Sequence, residues 1–390
     1  MKQRLRVILV LMVGILLGGT LSVGGQAMAE PQASSELPLK ELRAFAEIFG
    51  RIKRDYVEPV DDKALLEYAI RGMLSGLDPH SSYLNMDEFK ELQVGTTGEF
   101  GGLGVEVGME DGFIKVVAPI DDTPAQRAGV KAGDLIIRLD DEPVKGMTLN
   151  DAVNTMRGKP GSEIVLTIMR EGRDAPFRVT IERAVIKVAS VKGRILEDGF
   201  GYVRVSHFQA RTHEDMLIKL HVLKEESDGE LKGLVLDLRN NPGGILRASV
   251  DVAGLFMDGG TVVYTEGRLA NSDMYYDAEE NDNSDGTPLV ILINQGSASA
   301  SEIVAGAIQD NGRGILVGEP TFGKGSVQHV HTLSDGSELR VTIARWFTPN
   351  NRSISEEGVL PDLEVATPED LGGDDDEQLQ RAIDYLLNGD

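Results

Sequence analysis

Leu289-Val290-Ile291-Leu292-Ile293-Asn294-Gln295-Gly296-Ser297-Ala298-Ser299-Ala300-Ser301-Glu302 is the stretch on which the reading turns. Five consecutive apolar residues, four of them leucine or isoleucine, predict a buried strand. Asn294-Gln295-Gly296 is a turn, and helical spacing then runs to about Gln309. Leu234 to Leu238 repeats the pattern of a buried strand followed by a glycine turn, and Ile315-Leu316-Val317 is a third strand. Residues 200–365 therefore alternate strands and helices, which predicts an α/β layered core.

The serine run at 297–301 sits where strand gives way to helix. A serine at such a turn faces outward, and the backbone N–H groups after it can stabilise an oxyanion. Ala298 and Ala300 are small enough to let a substrate backbone approach. The same letters also spell a helix cap, because Ser299 with Glu302 three residues on is a capping box. A nucleophilic serine needs a base. The six histidines do not supply one convincingly; His329 and His331 share one face of a strand and are weak metal candidates without a paired carboxylate. Lysine is the other choice. Its ordinary pKa is about 10.4, so it must be desolvated or placed near positive charge to accept a proton. Lys324 lies in Pro320-Thr321-Phe322-Gly323-Lys324-Gly325, where the glycines allow a tight turn and Phe322 and Val327 could dry the amine. By itself, a lysine between glycines is a solvated loop residue.

Outward from this core, residues 98–184 read as a compact unit of strand, strand, helix, strand, helix and a final strand at Ile164–Met169. Gly102-Leu103-Gly104-Val105 is a glycine-rich loop feeding a strand. It can present N–H groups to a carboxylate and offer an open edge to a peptide; a plain hairpin turn is the structural alternative. Residues 38–75 carry two helices with Leu42, Phe45, Ile48 and Phe49 on the first, broken at Tyr56-Val57-Glu58-Pro59. Asn271 to Gly286 reads as a solvated acidic loop. Asp374-Asp375-Asp376-Glu377 precedes an apolar stripe at Leu379, Ile383, Leu386 and Leu387, acids that suit a helix N-terminus.

Residues 1–29 combine Lys2, Arg4 and Arg6, an apolar run from Val7 to Leu17, and Ala27-Met28-Ala29, in the order of a secretory signal peptide. Cleavage after Ala29 would change the formal charge from −24 to −27, since three cations and no acids are lost. No later stretch is long and apolar enough to span a bilayer. The excess of 63 acidic over 39 basic side chains argues against general nucleic-acid binding. The absence of cysteine removes disulfides, a thiol nucleophile and thiolate metal ligands.

Gly296 to Glu302, together with Gly323-Lys324-Gly325-Ser326-Val327-Gln328, resembles the carboxyl-terminal processing peptidases, or tail-specific proteases. The resemblance extends over Asp78-Pro79-His80-Ser81-Ser82-Tyr83-Leu84, the 98–184 unit and Gly358-Val359-Leu360-Pro361-Asp362. It implies a crotonase-like spiral α/β core, an inserted PDZ domain, and helical N- and C-terminal arms. It divides the chain into a signal peptide (1–29), a helical arm (30–97), a PDZ domain (98–184), a serine protease core (185–365) and an acidic segment with a helix (366–390). The family's 25-residue spacing between nucleophile and base selects Ser299 for Lys324, and its third position falls on Gln328. In a straight strand, residues four apart are roughly 13 Å apart, so Gln328 can orient Lys324 only if the chain bends. The oxyanion donors implied are Ala300 and Gly243, with Gly244 close behind in Asp237-Leu238-Arg239-Asn240-Asn241-Pro242-Gly243-Gly244.

The peptide site implied is Gly102, Leu103, Gly104 and Val105, with Arg157 coupling occupancy to the protease site. The resemblance further implies a periplasmic endopeptidase without cofactor or metal. It would self-associate through terminal helices, act on protein or peptide substrates of the envelope, and work with a lipoprotein adaptor. An inactive protease-like PDZ scaffold is the alternative. A β-lactamase-like acyl transferase would need lysine where Glu302 stands.

Overall fold

The computed structural model describes residues 37–120, 122–196, 199–269, 272–355, 357–373 and 375–389. The expected leader at 1–29 lies outside them. The chain falls into two compact units, Met1–Ile70 and Arg71–Asp390. The first contains the helix Leu39–Asp55 and the beginning of the helix Asp62–Ser75, separated where the Tyr56–Pro59 breaker was expected. None of the first helix is buried; Leu39, Leu42, Phe45, Ile48 and Ile52 are exposed along it. No helix among the described residues is long and apolar enough to cross a membrane.

Within the second unit, the core is a six-stranded sheet. Its order is Val191–Ile195, Phe200–Val205, Gly233–Asp237, Leu289–Ile293, Ile315–Gly318 and Leu363–Glu364. Only the first pair is antiparallel. Leu234, Leu236, Leu289, Ile291 and Ile293 pack with the helices Leu246–Gly254 and Ala300–Asp310. Val235, Val290 and Leu292 point the other way, toward Leu379 and Ala382 of the helix Glu377–Asn388. Helices on both faces explain why these strands are unbroken apolar runs instead of alternating ones. A parallel strand delivers its C-terminal end to a loop beyond the sheet, where ligands of open α/β sheets bind.

A second sheet carries Ser82–Leu84, Glu338–Phe347, Thr261–Gly267 and Met274–Asp277 in that order, with Ser326–Thr332 also paired to Glu338–Phe347. The acidic 271–286 stretch is thus not all loop. Met274–Asp277 pairs with Thr261–Gly267, and Arg313 bonds both Asp282 and Ser284.

The 98–184 segment has a sheet ordered Val105–Glu110, Phe113–Pro119, Leu135–Leu139, Glu163–Met169 and Phe177–Glu182. The strand at 163–169 is not the last one. Phe177, Val179 and Ile181 alternate toward the core of this segment in a further strand. A two-stranded stem, Glu99–Gly102 with Ala184–Lys187, closes the segment at its base.

Candidate active site

Three serines were candidates at the turn after Leu289–Ile293, and packing sorts them. Ser297 and Ser301 are fully buried, and their hydroxyls donate to the carbonyls of Leu238 (2.8 Å) and Asn241 (2.9 Å). Their role is to fasten the serine turn to the neighbouring 237–244 loop. Ser299 is half-buried and lines a cavity of about 490 Å³. Its backbone sits at φ 54°, ψ −111°, a conformation a side chain rarely adopts. Such strain costs on the order of 1–3 kcal/mol and persists only where the surroundings enforce it. Ser299 is also the N-cap of the helix Ala300–Asp310, and Glu302 accepts its N–H at 2.6 Å. The capping box and the cavity-facing serine coexist.

Glu302 does more than cap. It is fully buried, and its carboxylate also accepts from the Thr321 hydroxyl (2.6 Å), the Gly323 N–H (2.7 Å) and the Lys324 N–H (3.0 Å). Burial pushes its carboxyl above the usual range, against the pull of these bonds. One side chain thereby ties the serine turn to the lysine loop. The sequence shows the acid at the cap position but not that it reaches residues 321–324.

Lys324 lines the same cavity as Ser299. Burial is the main cause that lowers its affinity for a proton, and Arg340 lowers it further, while Glu302 opposes both. The drying is not done by Phe322, which is exposed. Val327 and the buried Trp346 line the cavity instead, and Trp346 Nε1 donates to the Lys324 carbonyl at 3.0 Å. A ring at a turn tip looks like a cover in sequence, but its direction is set by neighbours that sequence does not name. Among the described residues, the Lys324 amine and the Ser299 hydroxyl have no hydrogen bond to each other.

Gln328 belongs to the same cavity wall. The strand shifts register between Val327 and Gln328, an irregularity that lies between Lys324 and Gln328. Its amide donates to Ser326 Oγ (2.8 Å) and Thr342 Oγ1 (3.3 Å) and not to Lys324.

The Asp237–Gly244 loop runs beside the serine turn. Asn294 Nδ2 donates to Asn240 Oδ1, and Asn240 N–H to Asn294 Oδ1, both at 2.9 Å. Gly243 approaches so closely that an added Cβ would lie 2.9 Å from both Ala300 N and Ser299 Cβ. Its N–H, however, donates to Asn241 Oδ1 at 2.9 Å. The N–H groups of Ala300 and Gly244 have no partner among the described residues.

Beneath this loop lies a buried ionic network. Arg239 bonds Asp237 (2.8 Å), Asp376 (2.7 Å) and Gln378 (3.0 Å), all fully or almost fully buried. Asp376, the N-cap of the C-terminal helix, thus reaches the loop that carries Gly243. Burial works against the Arg239 charge, but its bonds to Asp237 and Asp376 outweigh that and strengthen its hold on the proton. Tyr202 donates to Asp237 at 2.6 Å, and burial with that charge pushes its hydroxyl up to about 12. The acidic run at 374–377 read as dipole complement, and nothing in its spacing reveals a partner at 239.

In the 98–184 segment, Gly102, Leu103, Gly104, Val105 and Arg157 all line one cavity of about 230 Å³, with Phe100, Val153 and Met156. Val105–Glu110 is an edge strand. Leu103 and Gly104 donate their N–H groups to nothing among the described residues. Arg157 stacks over Phe100 at 5.1 Å. His329 and His331 are exposed with rings 4.4 Å apart, and no group of three or more metal-ligating side chains occurs among the described residues.

An α/β core with a strained serine turn, joined to a small sheet domain with a peptide-sized groove, defines a class of PDZ-bearing peptidases. Comparison with known proteins agrees. Residues 199–365 match peptidase family S41, residues 101–181 the PDZ domain, and residues 21–88 the N-terminal domain of the activating protease CtpB. A carboxy-terminal-processing protease of Bartonella bacilliformis is 44% identical over 93% of this chain and 83% of its own length. The carboxyl-terminal-processing protease of Synechocystis is 36% identical over 87% of this chain and 81% of its own. The solved photosystem II D1 C-terminal processing protease is 33% identical, covering 85% of this chain and 96% of its own with a TM-score of 0.49. The chain belongs to peptidase family S41 and is a serine-type peptidase of the carboxy-terminal processing kind.

Proposed function

We propose that the protein is a periplasmic endopeptidase that cleaves envelope proteins with a Ser299–Lys324 dyad and recognises their C-termini through the PDZ groove. The observation that carries this reading is the convergence of a strained, cavity-facing Ser299 and a desolvated Lys324 on one cavity. Neutral Lys324 takes the proton from Ser299 Oγ as that oxygen attacks the peptide carbonyl. The resulting oxyanion is met by the Ala300 N–H and by Gly243 or Gly244. Gly243 can serve only after exchanging Asn241 Oδ1 for the substrate oxygen. The Lys324 ammonium then protonates the leaving amine, the C–N bond breaks, and an acyl-enzyme remains. Water gives a proton to Lys324 as it attacks the ester, and Ser299 leaves with that proton. Gln328, on the same cavity wall, assists Lys324 in this reading.

The division at 29, 97, 184 and 365, self-association through the helical arms and help from a lipoprotein adaptor belong to the same reading. The occupied Gly243 N–H and the missing Ser299–Lys324 bond favour a resting form that PDZ occupancy, relayed by Arg157, converts to an active one.

A fluorophosphonate probe with mass mapping tests the chemistry. Labelling at Ser299, lost in Ser299→Ala and at least about a thousandfold slower in Lys324→Ala, is expected. Rapid labelling of Lys324→Ala would assign another base. Equal inactivity of wild type and Ser299→Ala with peptide tails still bound would leave a PDZ scaffold. N-terminal sequencing of exported material should begin at Glu30.

A further inference from the structure

One arginine of the site has no acceptor for its side chain among the described residues. Arg340 stands on the strand Glu338–Phe347, opposite Val330 of the strand that follows the lysine loop and opposite Ser82 on its other side. It lines the cavity that holds Ser299 and Lys324. Its Nε is buried and unpartnered, and it forms no ion pair among the described residues. The same strand carries Trp346, which holds the Lys324 carbonyl, so arginine and lysine share one rigid support. Placing a guanidinium without a carboxylate beside a half-buried amine is unfavourable for folding and needs a reason.

We propose that Arg340 is a positioning residue for the reaction, a fixed second cation that acts through Lys324 and keeps its amine in the proton-accepting form. The inference rests on Lys324 being the base. A neighbouring cation disfavours the charged state of an amine, which adds to the effect of burial. The other groups around the amine do not cancel it. Among the described residues Glu302 is the one acid bonded to the lysine loop, and its carboxylate is spent on four donors around Ser299 and residues 321–324. His80 is kept below its ordinary value by burial, with Lys324 and Arg340 adding to that, against Asp78, so at neutral pH it brings no third charge. His207, lowered by burial, and Glu91 complete the titratable groups of the cavity wall.

The test is the pH profile of fluorophosphonate labelling on the full chain. Labelling requires neutral Lys324, so its rate rises with pH through the lysine's titration. Removing the second cation tightens the lysine's hold on its proton, and the limb moves to higher pH. Arg340→Gln is expected to shift it up by about one unit, which is about tenfold slower labelling at neutral pH, recovered in alkali. Arg340→Lys should keep the wild-type limb, and His80→Gln should leave it in place. Arg340→Met is read in the same way should the glutamine variant melt early. An unmoved limb in folded Arg340→Gln or Arg340→Met overturns the proposal, as does slowing restricted to anionic probes, which would make Arg340 a substrate contact. Rapid labelling of Lys324→Ala would instead overturn the dyad, so the two failures are distinct.

Discussion

The loop at Gly102–Val105 and the turn at Ser299 both carry backbone N–H groups without a partner among the described residues, and they stand in opposite states of readiness. In the PDZ domain, the Leu103 and Gly104 N–H groups are unspent, and Gly104 reaches φ 75° without the cost of a side chain. Little else is needed there, since Phe100, Val153 and Met156 already form an apolar floor. In the core, Ser299 occupies a comparable φ of 54° with a side chain attached. That conformation is enforced by Glu302, the buried hydroxyls of Ser297 and Ser301, and the Asn240–Asn294 pair. One of its candidate donors, the Gly243 N–H, is held by Asn241. A binding loop can be preformed because it must only hold. A reactive turn stores strain, and its surroundings must hold that strain in place.

Breaking the support beneath the reactive turn should have the largest effect. Asp376→Ala leaves Arg239 charged and buried with one acid fewer, which is expected to cost about 3–5 kcal/mol of stability by denaturant melts. The same bond has a pH signature. Arg239, with the Gly372 and Leu379 N–H groups, holds the Asp376 carboxyl below its ordinary 3.8, although burial pulls the other way. Its stabilisation is therefore complete above 3.8 and is lost as pH falls through the lower folded value. Asp376→Asn should flatten the melting temperature in that acidic window, and an unchanged slope would remove Asp376 from the network's energetics.

Next is the tie between the two loops. Glu302→Gln keeps the shape but replaces one acceptor oxygen with a donor that faces either Thr321 and Gly323 or Ser299 and Lys324. Labelling at Ser299 should slow by about a hundredfold, with peptide binding at the PDZ groove unaltered. Equal losses in both readouts would mean global damage instead of a misplaced turn. The smallest effect is expected at the preformed site. Phe100→Ala removes the ring beneath Arg157 and should weaken a C-terminal peptide by about 1 kcal/mol in a fluorescence titration, since cation–π and apolar contact are both lost. Fluorophosphonate labelling without peptide should not change.

What could be read in the sequence follows from how local each signal is. Strands Gly233–Asp237 and Leu289–Ile293 were visible because burial on both faces leaves the apolar runs Leu234–Leu236 and Leu289–Ile293. The two N-terminal helices were visible because Tyr56 to Pro59 interrupts them. The strand Phe177–Glu182 was missed although Phe177, Val179 and Ile181 alternate, because the preceding strand closed a plausible unit. The PDZ loop was legible as glycines beside a strand.

The linear sequence by itself determined the layered core and the family, and a spacing that the family supplies singled out Ser299 as the proposed partner of Lys324. Those depend on periodicity and on motifs confined to short stretches. Only the tertiary structure decided which serine faces the cavity, why Phe322 does not dry the lysine, and which partners Glu302, Arg239 and Asp376 meet. Several of those answers join residues far apart in the chain, 19 positions from Glu302 to Thr321 and 137 from Arg239 to Asp376. Buried charge is settled by the partner that folding brings to it, and no local pattern of letters names that partner.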